Sequence, residues 1–305
     1  MQNFRIRFKR AALKILVYAA FLLAPASPVL ALQIQDFVSG AQDNGMTAKA
    51  YLVLDKLSGQ VLLQKESQKI WTPASLTKLV TALVVLDHNP SLGENISMAK
   101  ADEVGGARVS TRPGVTYRIK DLFYATLVAS ANNAANAIAR SSGLSKSQFI
   151  EKMNQKAREL GAKSTLFFDP SGIGEKNYTT AEDFAKIAKA AFEKPQILSA
   201  AKLNEYSFRS VNNRRFSHKI KNTNKLLADG SLNIIAGKTG YLDKSRYNFV
   251  GLIKDQFGRE DIVVLLGAEN SQAQFWETKQ LTFLAGLAKP VFGFGGMALG
   301  EGIYP

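Results

Sequence analysis

Three short strings in this 305-residue chain bring hydroxyl, amine and amide side chains together at spacings that could support catalysis. Ser75-Leu-Thr-Lys78 puts a serine three residues before a lysine. Ser130-Ala-Asn132 pairs a serine with an amide, and Lys238-Thr-Gly240 ends on a glycine. Each string alone is a weak signal, because short matches often arise by chance. In combination they predict a serine nucleophile with lysine as its base.

Ser75 and Lys78 have the spacing that an activated serine needs. Residues three apart on a helix lie on the same face, one turn from each other. The apolar run at 79–86 follows directly and would anchor this first turn in the core. A serine hydroxyl is a weak nucleophile at neutral pH, and a lysine can accept its proton if burial and a nearby cation lower the lysine pKa. Lys238 is the candidate for that cation.

Other strings of the same form lack this context. Neither of the two other serines that precede a lysine by three residues has a buried helix behind it. The competing strings are Ser97-Met-Ala-Lys100, Ser199-Ala-Ala-Lys202, Ser210-Val-Asn212 and Ser231-Leu-Asn233. We therefore predict that the nucleophile is Ser75.

The composition excludes most other kinds of catalysis. The chain has no cysteine and two histidines, His88 and His218. Disulfides, zinc-thiolate sites, iron-sulfur clusters and cysteine nucleophiles are excluded, and a histidine metal cage is not expected. No Asp-His-Ser spacing stands out, so both histidines are interpreted as surface or structural groups. We predict neither a metal nor a cofactor.

The hydrophobic patterning predicts an α+β fold, with strands near both ends of the domain and helices between them. Alternation at 50–54 and 61–65 around a turn at 55–60 indicates a hairpin. Further strands are predicted at 233–235, 247–253 and 261–267, and helices from Ser75, over 122–128 and 134–139, from Ser145 and Thr180, and over 272–287. The N- and C-terminal strands should close one sheet.

These elements position the other two strings. Ser130-Ala-Asn132 falls in a break at 130–133 between two apolar helices, where polar side chains can be held at the wall of a cleft. Lys238-Thr-Gly240 is predicted to end a strand, where glycine lets a substrate backbone approach closely.

The first 31 residues are predicted to be a secretory signal peptide. Basic residues from Arg5 to Arg10 precede a mostly apolar run at 15–24, and Val29-Leu30-Ala31 offers a small-residue cleavage site. The apolar run is shorter than the roughly 20 residues of a membrane-spanning helix. An uncleaved anchor is the alternative.

Removal of this segment leaves a basic protein. The net charge is +14, and residues 1–31 carry five cations and no acid, so residues 32–305 retain +9. An exported basic protein suits anionic partners such as cell-wall polymers, or a membrane surface to which it would bind peripherally. The export signal disfavours nucleic acid. Residues 32–288 are predicted to be one catalytic domain, and 289–305 a glycine-rich tail.

The three strings in this order resemble the motifs of the penicillin-recognising serine enzymes. Wider strings are similar to the low-molecular-mass penicillin-binding proteins, the D-alanyl-D-alanine carboxypeptidase group: Thr72-Pro-Ala-Ser-Leu-Thr-Lys78, Asn222-Thr-Asn-Lys-Leu-Leu227 and Lys238-Thr-Gly-Tyr-Leu-Asp-Lys-Ser-Arg-Tyr-Asn248. The similarity runs over about residues 49–287. It implies a β-lactamase/DD-peptidase-like α+β fold, in which an antiparallel sheet is covered by helices and a helical lobe lies beside it. It also implies a peptidoglycan peptide ending in D-Ala-D-Ala as substrate, and β-lactam antibiotics as inhibitors.

The resemblance implies catalytic roles for residues of the first two strings. Ser75 would attack the substrate carbonyl and form an acyl-enzyme, and Lys78 would take its proton. Ser130 would relay a proton to the departing amine. Asn132 would hold the substrate backbone and orient Lys78.

The third string is implied to bind the substrate. Lys238 and Thr239 would hold the substrate carboxylate, and Gly240 would leave room for its backbone. The oxyanion would lie between the backbone N–H groups of Ser75 and Tyr241, while the Tyr241 side chain is interpreted as a packing group.

The sequence departs from the family pattern at two positions and leaves alternatives open. Ala131 stands where many carboxypeptidases have glycine, and Thr223 stands where some relatives carry arginine. The family's extra β-rich domain and amphipathic anchor are not expected after Leu287.

Single-domain relatives include DD-endopeptidases, so cleavage of peptide cross-links is the alternative. A β-lactamase is less consistent with the sequence, because Glu175 lacks the Glu-x-x-Leu-Asn pattern of the loop that carries the deacylating glutamate in class A β-lactamases. A non-catalytic wall-binding protein is the other alternative, but such a protein would not need every catalytic side chain.

Overall fold

The computed structural model describes residues 45–88 and 92–288, and the predicted signal peptide and glycine-rich tail lie outside them. In chain order the elements are β1 (Ala50–Asp55), β2 (Val61–Lys65), α1 (Lys78–His88), β3 (Asn95–Ser97), β4 (Thr116–Arg118), α2 (Ile119–Val128), α3 (Asn132–Arg140), α4 (Lys146–Glu159), α5 (Ala181–Phe192), α6 (Pro195–Ala201), β5 (Glu205–Arg209), β6 (Ser217–Lys221), α7 (Leu226–Asp229), β7 (Asn233–Leu242), β8 (Arg246–Lys254), β9 (Glu260–Ala268) and α8 (Ser271–Ala288). A 3₁₀ turn, Ala74–Thr77, leads directly into α1.

Five strands form one antiparallel sheet in the order β2-β1-β9-β8-β7. The predicted β1–β2 hairpin is confirmed, and the Asp55 carboxylate accepts a 2.7 Å hydrogen bond from the Ser58 N–H in its turn. β1 pairs with β9 in a register that sets Ala50 opposite Leu266. Strands from both ends of the domain therefore meet in one sheet, which confirms the predicted α+β class and leaves β7 at an edge.

Helices cover both faces of the sheet. Along β1, Leu52 and Leu54 belong to the main hydrophobic core, whereas Tyr51 and Val53 are buried outside it. Side chains alternate along a strand, so Tyr51 and Val53 point to the opposite face. There α8 packs against the sheet, while α5 and the helical lobe cover the first face.

The lobe surrounds α1, the helix that follows Ser75. All residues of α1 from Lys78 to Leu86 are buried, and the helix packs against α2, α3, α4 and α5. A helix that is apolar on all sides is stable only when neighbouring elements enclose it. This enclosure holds the preceding 3₁₀ turn in a fixed position.

The predicted helix starts at Ser145 and Thr180 are confirmed by their caps. The Ser145 hydroxyl accepts from the Gln148 N–H at 3.3 Å, and the Gln148 side chain accepts from the Ser145 N–H at 3.0 Å. The Thr180 hydroxyl accepts from the Asp183 N–H at 3.0 Å. These bonds satisfy backbone groups that the first turn of a helix leaves without partners.

Two placements predicted from the sequence are wrong in detail. Lys238-Thr-Gly240 lies within β7 and does not end it, because pairing with β8 continues to Leu242 opposite Arg246. The helix break spans 129–131, since Asn132 already begins α3. The two-stranded sheets β3–β4 and β5–β6 were not predicted. Across 45–88 and 92–288, no helix combines the length and apolar character needed to cross a bilayer.

Candidate active site

Ser75 occupies the 3₁₀ turn that begins after Pro73. Its neighbour Ala74 has a φ of +51°, a left-handed conformation that is unusual for a residue with a side chain. Gly172 lies against this turn, and a Cβ atom at Gly172 would overlap the Ala74 carbonyl oxygen. The close approach of Gly172 and the burial of α1 hold the serine in place from two sides.

The Lys78 amine lies at the centre of the site. Its Nζ is 2.8 Å from Ser75 Oγ, 2.6 Å from Asn132 Oδ1 and 2.5 Å from the Ser171 carbonyl oxygen. The amide and carbonyl oxygens can only accept hydrogen bonds. A neutral amine has two N–H groups, which these two oxygens can take up, so its lone pair is left for the Ser75 hydroxyl. The geometry therefore fits a free amine poised to accept the serine proton.

The surroundings of Lys78 favour that neutral form. Complete burial lowers its pKa well below the ordinary value of 10.5, and the positive charge of Lys238 lowers it further. Asp169 opposes this effect and raises the pKa to a smaller extent. The Asp169 carboxylate also accepts hydrogen bonds from the N–H groups of Ser171 and Gly172, at 2.9 and 2.7 Å.

Ser130 lies in the break between α2 and α3, and Asn132 is the first residue of α3. Ser130 has a φ of +60°, and it is held there because the next residue, Ala131, donates its N–H to the Ala125 carbonyl at 3.2 Å. Asn132 is fixed at several atoms. Its N–H donates to Ala107 O at 2.7 Å, its Nδ2 donates to Gly105 O at 2.8 Å, and its Oδ1 faces Lys78. A fixed amide of this kind can orient the lysine.

Lys238 joins the third string to the second. Its side chain is fully buried, and Nζ donates to Ser130 Oγ and to the Thr239 carbonyl oxygen, both at 2.9 Å. Desolvation by burial lowers the pKa of Lys238 to about 7. The site thus holds two buried lysines, each in contact with a different serine hydroxyl.

Strand β7 lies directly against the Ser75 turn. A Cβ atom at Gly240 would lie 2.7 Å from the Pro73 carbonyl oxygen and 3.2 Å from the Ser75 nitrogen, distances that only glycine tolerates. Next to it, the Thr239 hydroxyl donates to Thr223 Oγ1 at 2.5 Å. Absence of a side chain at Gly240 therefore brings the β7 backbone beside the serine.

Tyr241 forms part of the cleft wall and is not only a packing residue. Its ring is 45% exposed and lies 4.5 Å, centroid to centroid, from the ring of Tyr247. Its hydroxyl donates to Asp243 at 2.6 Å. Phe249, in contrast, is fully buried.

The three strings open onto one cleft of about 450 Å³, a volume within the range of small-molecule sites. Its lining includes Ser75, Ser130, Asn132, Thr223, Thr239, Gly240 and Tyr241. The backbone carbonyls of Ser171 and Gly105 also hold the site, although no motif in the sequence indicates them. Thr223 was identified only as a departure from the family pattern.

The other candidate residues lie outside this cleft. Ser97 is in β3, where its hydroxyl is 2.8 Å from Thr116 Oγ1, and Ser199 is in α6. Glu175 forms an exposed ion pair with Lys244 at 3.6 Å. His218 Nε2 lies 2.9 Å from the Tyr117 hydroxyl, which fits a structural group.

Comparisons with known proteins agree on one family. The family model described as D-alanyl-D-alanine carboxypeptidase matches residues 37–270. A D-alanyl-D-alanine endopeptidase of Haemophilus influenzae is 35% identical over 220 residues, which is 72% of this chain and 74% of the relative. A D-alanyl-D-alanine carboxypeptidase of Bacillus subtilis is 29% identical over 247 residues, which is 77% of this chain and 61% of the relative. A solved structure of a D-alanyl-D-alanine carboxypeptidase from Mycobacterium tuberculosis matches with a TM-score of 0.73 at 30% identity, covering 80% of this chain and 92% of that chain.

Proposed function

Because this chain belongs to the D-alanyl-D-alanine carboxypeptidase family of serine DD-peptidases, we propose that it removes the terminal D-Ala of peptidoglycan stem peptides through an acyl-enzyme on Ser75. The observation that carries this proposal is the contact of the buried Lys78 amine with the Ser75 hydroxyl at 2.8 Å. A hydroxyl with a free amine at hydrogen-bond distance is an activated nucleophile.

Acylation begins when Ser75 Oγ attacks the carbonyl carbon of the D-Ala-D-Ala bond while its proton passes to Lys78 Nζ. The tetrahedral intermediate then collapses, and the C–N bond breaks. The departing amine must gain a proton to leave as D-alanine. We assign its delivery to the Ser130 hydroxyl, which in turn receives the proton held by Lys78, so that Lys78 is again a free base. Water subsequently attacks the ester while Lys78 takes its proton, and this proton passes to Ser75 Oγ as the shortened peptide is released.

Two sets of hydrogen-bond donors, one for the oxyanion and one for the substrate carboxylate, support the proposed reaction. The Ser75 N–H and the Tyr241 N–H are proposed to bind the oxyanion, because β7 lies against the Ser75 turn at Gly240, where an added Cβ atom would be only 3.2 Å from the Ser75 nitrogen. Preorganised donors of this kind typically contribute about 3 to 4 kcal/mol each. The substrate carboxylate is proposed to bind Lys238 and Thr239. The Thr239 hydroxyl, which donates to Thr223 Oγ1 in this structure, would turn its O–H to the carboxylate on binding.

DD-endopeptidase activity is the second candidate. It is favoured by the similarity to the Haemophilus influenzae endopeptidase, which covers 72% of this chain. The same acyl-enzyme chemistry serves both reactions, since only the amine that leaves differs. A cross-linked peptide would require the cleft to admit a larger leaving group beyond Thr239.

The proposal extends to location and domain limits. Residues 1–31 would direct export, residues 32–288 would form the catalytic domain, and the enzyme would act on the wall outside the cytoplasm. β-Lactams would acylate the same serine, because their strained amide presents a similar carbonyl. Peripheral membrane association and the exclusion of nucleic acid remain predictions.

Digestion of purified muropeptides tests the proposal and separates the two activities. Pentapeptide monomers and cross-linked dimers are incubated with wild type, Ser75→Ala and the control Ser97→Ala, and the products are identified by mass spectrometry. A carboxypeptidase releases D-alanine from the monomers, and an endopeptidase converts dimers to monomers. Wild type and Ser97→Ala should be active and Ser75→Ala inactive. Equal activity in Ser75→Ala would refute the assignment.

A further inference from the structure

The segment 202–225 carries a high density of positive charge. It has seven lysines and arginines and one acid, Glu205, so its net charge is +6, compared with +9 for all of residues 32–305. Each of the seven is exposed: Lys202, Arg209, Arg214, Arg215, Lys219, Lys221 and Lys225. Among them Lys219 forms an ion pair, with Glu205 at 2.9 Å, and the described residues provide no such partner for the other six. Most of the excess charge is therefore concentrated in one place.

In strands β5 and β6 the charged side chains lie on the face that is exposed to solvent. In the hairpin, Arg209 pairs with Ser217 and Glu205 pairs with Lys221, and these four side chains are exposed. The alternate residues face inward, where Phe208 packs edge-on against Tyr117 at 5.8 Å between ring centroids, within a larger aromatic cluster. We call residues 205–221 the basic hairpin. Side chains alternate between the two faces of a strand, so the cations lie on the outer face while the apolar side chains pack into the core.

The basic hairpin is anchored to the body of the domain. In its turn, the Val211 N–H donates to Thr116 O at 2.7 Å, and Asn212 Oδ1 accepts from the Thr116 N–H at 2.9 Å. The Arg112 guanidinium lies 5.7 Å from the centre of the Phe216 ring and adds another cation beside the turn. The charges are consequently held by a rigid support and not on a loose loop.

The chain connects this hairpin directly to the cleft. β6 ends at Lys221, and Thr223, two residues later, lines the cleft and contacts Thr239. Two residues span at most about 7 Å and six residues at most about 20 Å. All of β6, from Ser217 onward, therefore lies within roughly 20 Å of the proposed carboxylate-binding end of the site.

We propose that the basic hairpin is a docking surface for the anionic peptidoglycan polymer, next to the stem peptide held in the cleft. Stem peptides carry free carboxylates, so a strand with one peptide in the cleft presents further anions beside it, and their charge complements the hairpin. This inference rests on the proposed function for the identity of the polymer. The surface would hold the enzyme on the wall, whereas a short soluble peptide would not reach it.

Binding to purified sacculi tests the surface without relying on catalysis. The full-length chain carrying Ser75→Ala, which leaves the polymer intact, is co-sedimented with sacculi at 0.05 and 0.5 M NaCl. In that background one variant neutralises four cations of the hairpin: Arg209→Gln, Arg214→Gln, Arg215→Gln and Lys221→Gln. The matched control removes the same charge from exposed positions on α4 and near α5 and α6: Lys146→Gln, Arg158→Gln, Lys163→Gln and Lys194→Gln.

At low salt we expect the hairpin variant to bind sacculi on the order of tenfold more weakly than the control, from the loss of four exposed charge contacts. High salt should remove the difference by screening. Equal binding of the two variants would overturn the proposal. So would retention of the parent chain by phosphatidylglycerol vesicles but not by sacculi, which would assign the surface to lipid headgroups.

Penicillin acylation in the Ser75-intact chain separates failure of this proposal from failure of the proposed function. Acylation of the hairpin variant at the wild-type rate shows that its fold and site are intact. If wild type is not acylated and cuts no muropeptide, the proposed function fails, whatever the sedimentation result.

Discussion

Replacement of Lys78 tests whether its amine is a base or only a structural cation. Lys78→Arg keeps a positive charge but has a pKa above 12, so it supplies no free base at neutral pH. Lys78→Met keeps a similar length and removes both charge and base. If the lone pair on Nζ takes the Ser75 proton, both variants should lose acylation to a similar degree.

The expected loss follows from the contacts of Lys78. General-base catalysis typically contributes about 100-fold to 10,000-fold, which corresponds to roughly 3 to 5 kcal/mol of activation free energy. Lys78→Met also removes the hydrogen bonds to Asn132 Oδ1 and Ser171 O, and each buried acceptor left without a partner costs about 1 to 3 kcal/mol of stability. Lys78→Arg keeps N–H donors but is larger than the buried lysine that it replaces. Thermal unfolding of each variant therefore accompanies the kinetic measurement.

The assay is stopped-flow acylation by a fluorescent penicillin as a function of pH. Because burial and Lys238 lower the pKa of Lys78 below 10.5, wild type should already react at neutral pH, and its rate should fall as lower pH protonates the amine. Lys78→Arg should lack this limb of the profile. A folded Lys78→Arg that reacts within threefold of wild type would refute the role of Lys78 as base.

Three further predictions concern other residues of the site. Between about pH 7 and 10.5 the unfolded chain binds a proton at Lys238 that the folded chain does not, so Lys238 should make the stability of wild type rise with pH there by up to about 1.4 kcal/mol per unit, in addition to the rise due to the lowered pKa of Lys78; denaturant titrations of Lys238→Met should show a shallower rise than wild type, and an unchanged slope would contradict the buried pKa of Lys238. Gly240→Ala places a methyl 2.7 Å from the Pro73 carbonyl and should slow penicillin acylation by roughly tenfold or more through loss of oxyanion alignment; a wild-type rate would show that the strand is not tightly placed. Glu175→Gln removes only an exposed ion pair with Lys244, so its penicilloyl adduct should be as long-lived as that of wild type by mass spectrometry. If wild type released the adduct within seconds and Glu175→Gln abolished this release, the protein would be a β-lactamase.

The chemistry of the site could be predicted from the sequence because it resides in short strings. The three-residue spacing of Ser75 and Lys78 fixes their contact once a helix begins there. The burial of Lys78 follows from the apolar run behind it. The decoy serines, such as Ser97, could be rejected because no comparable run follows them.

The features that hold the site together could not be predicted in this way. The Ser171 and Gly105 carbonyls are supplied by loops far from Lys78 in sequence, and any residue type has a carbonyl. The positive φ of Ser130 is held by the hydrogen bond from the Ala131 N–H to the Ala125 carbonyl, and serine has no intrinsic preference for that conformation. The sequence predicts Lys238-Thr-Gly240 at a strand end, where glycine would let a substrate backbone approach, whereas in the structure Gly240 lies within β7 and lets this strand approach the Ser75 turn.

The small sheets were missed for a related reason. β3 and β4 have three residues each, too few for alternation to be recognised. In β5 and β6 the inward-facing positions include Tyr206 and His218, which are only half-buried and are residue types that are also common on surfaces. Their strand character depends on the aromatic cluster beneath them, which only the folded chain assembles.

Peptide mapping of the covalent β-lactam adduct tests the central claim most directly. Wild type is treated with penicillin, quenched, digested and analysed by tandem mass spectrometry, with Ser75→Ala and Ser97→Ala treated in parallel. We predict one penicilloyl group on Ser75 in wild type and in Ser97→Ala, and none in Ser75→Ala. An adduct on another serine, or equal labelling of Ser75→Ala, would contradict the account of this site.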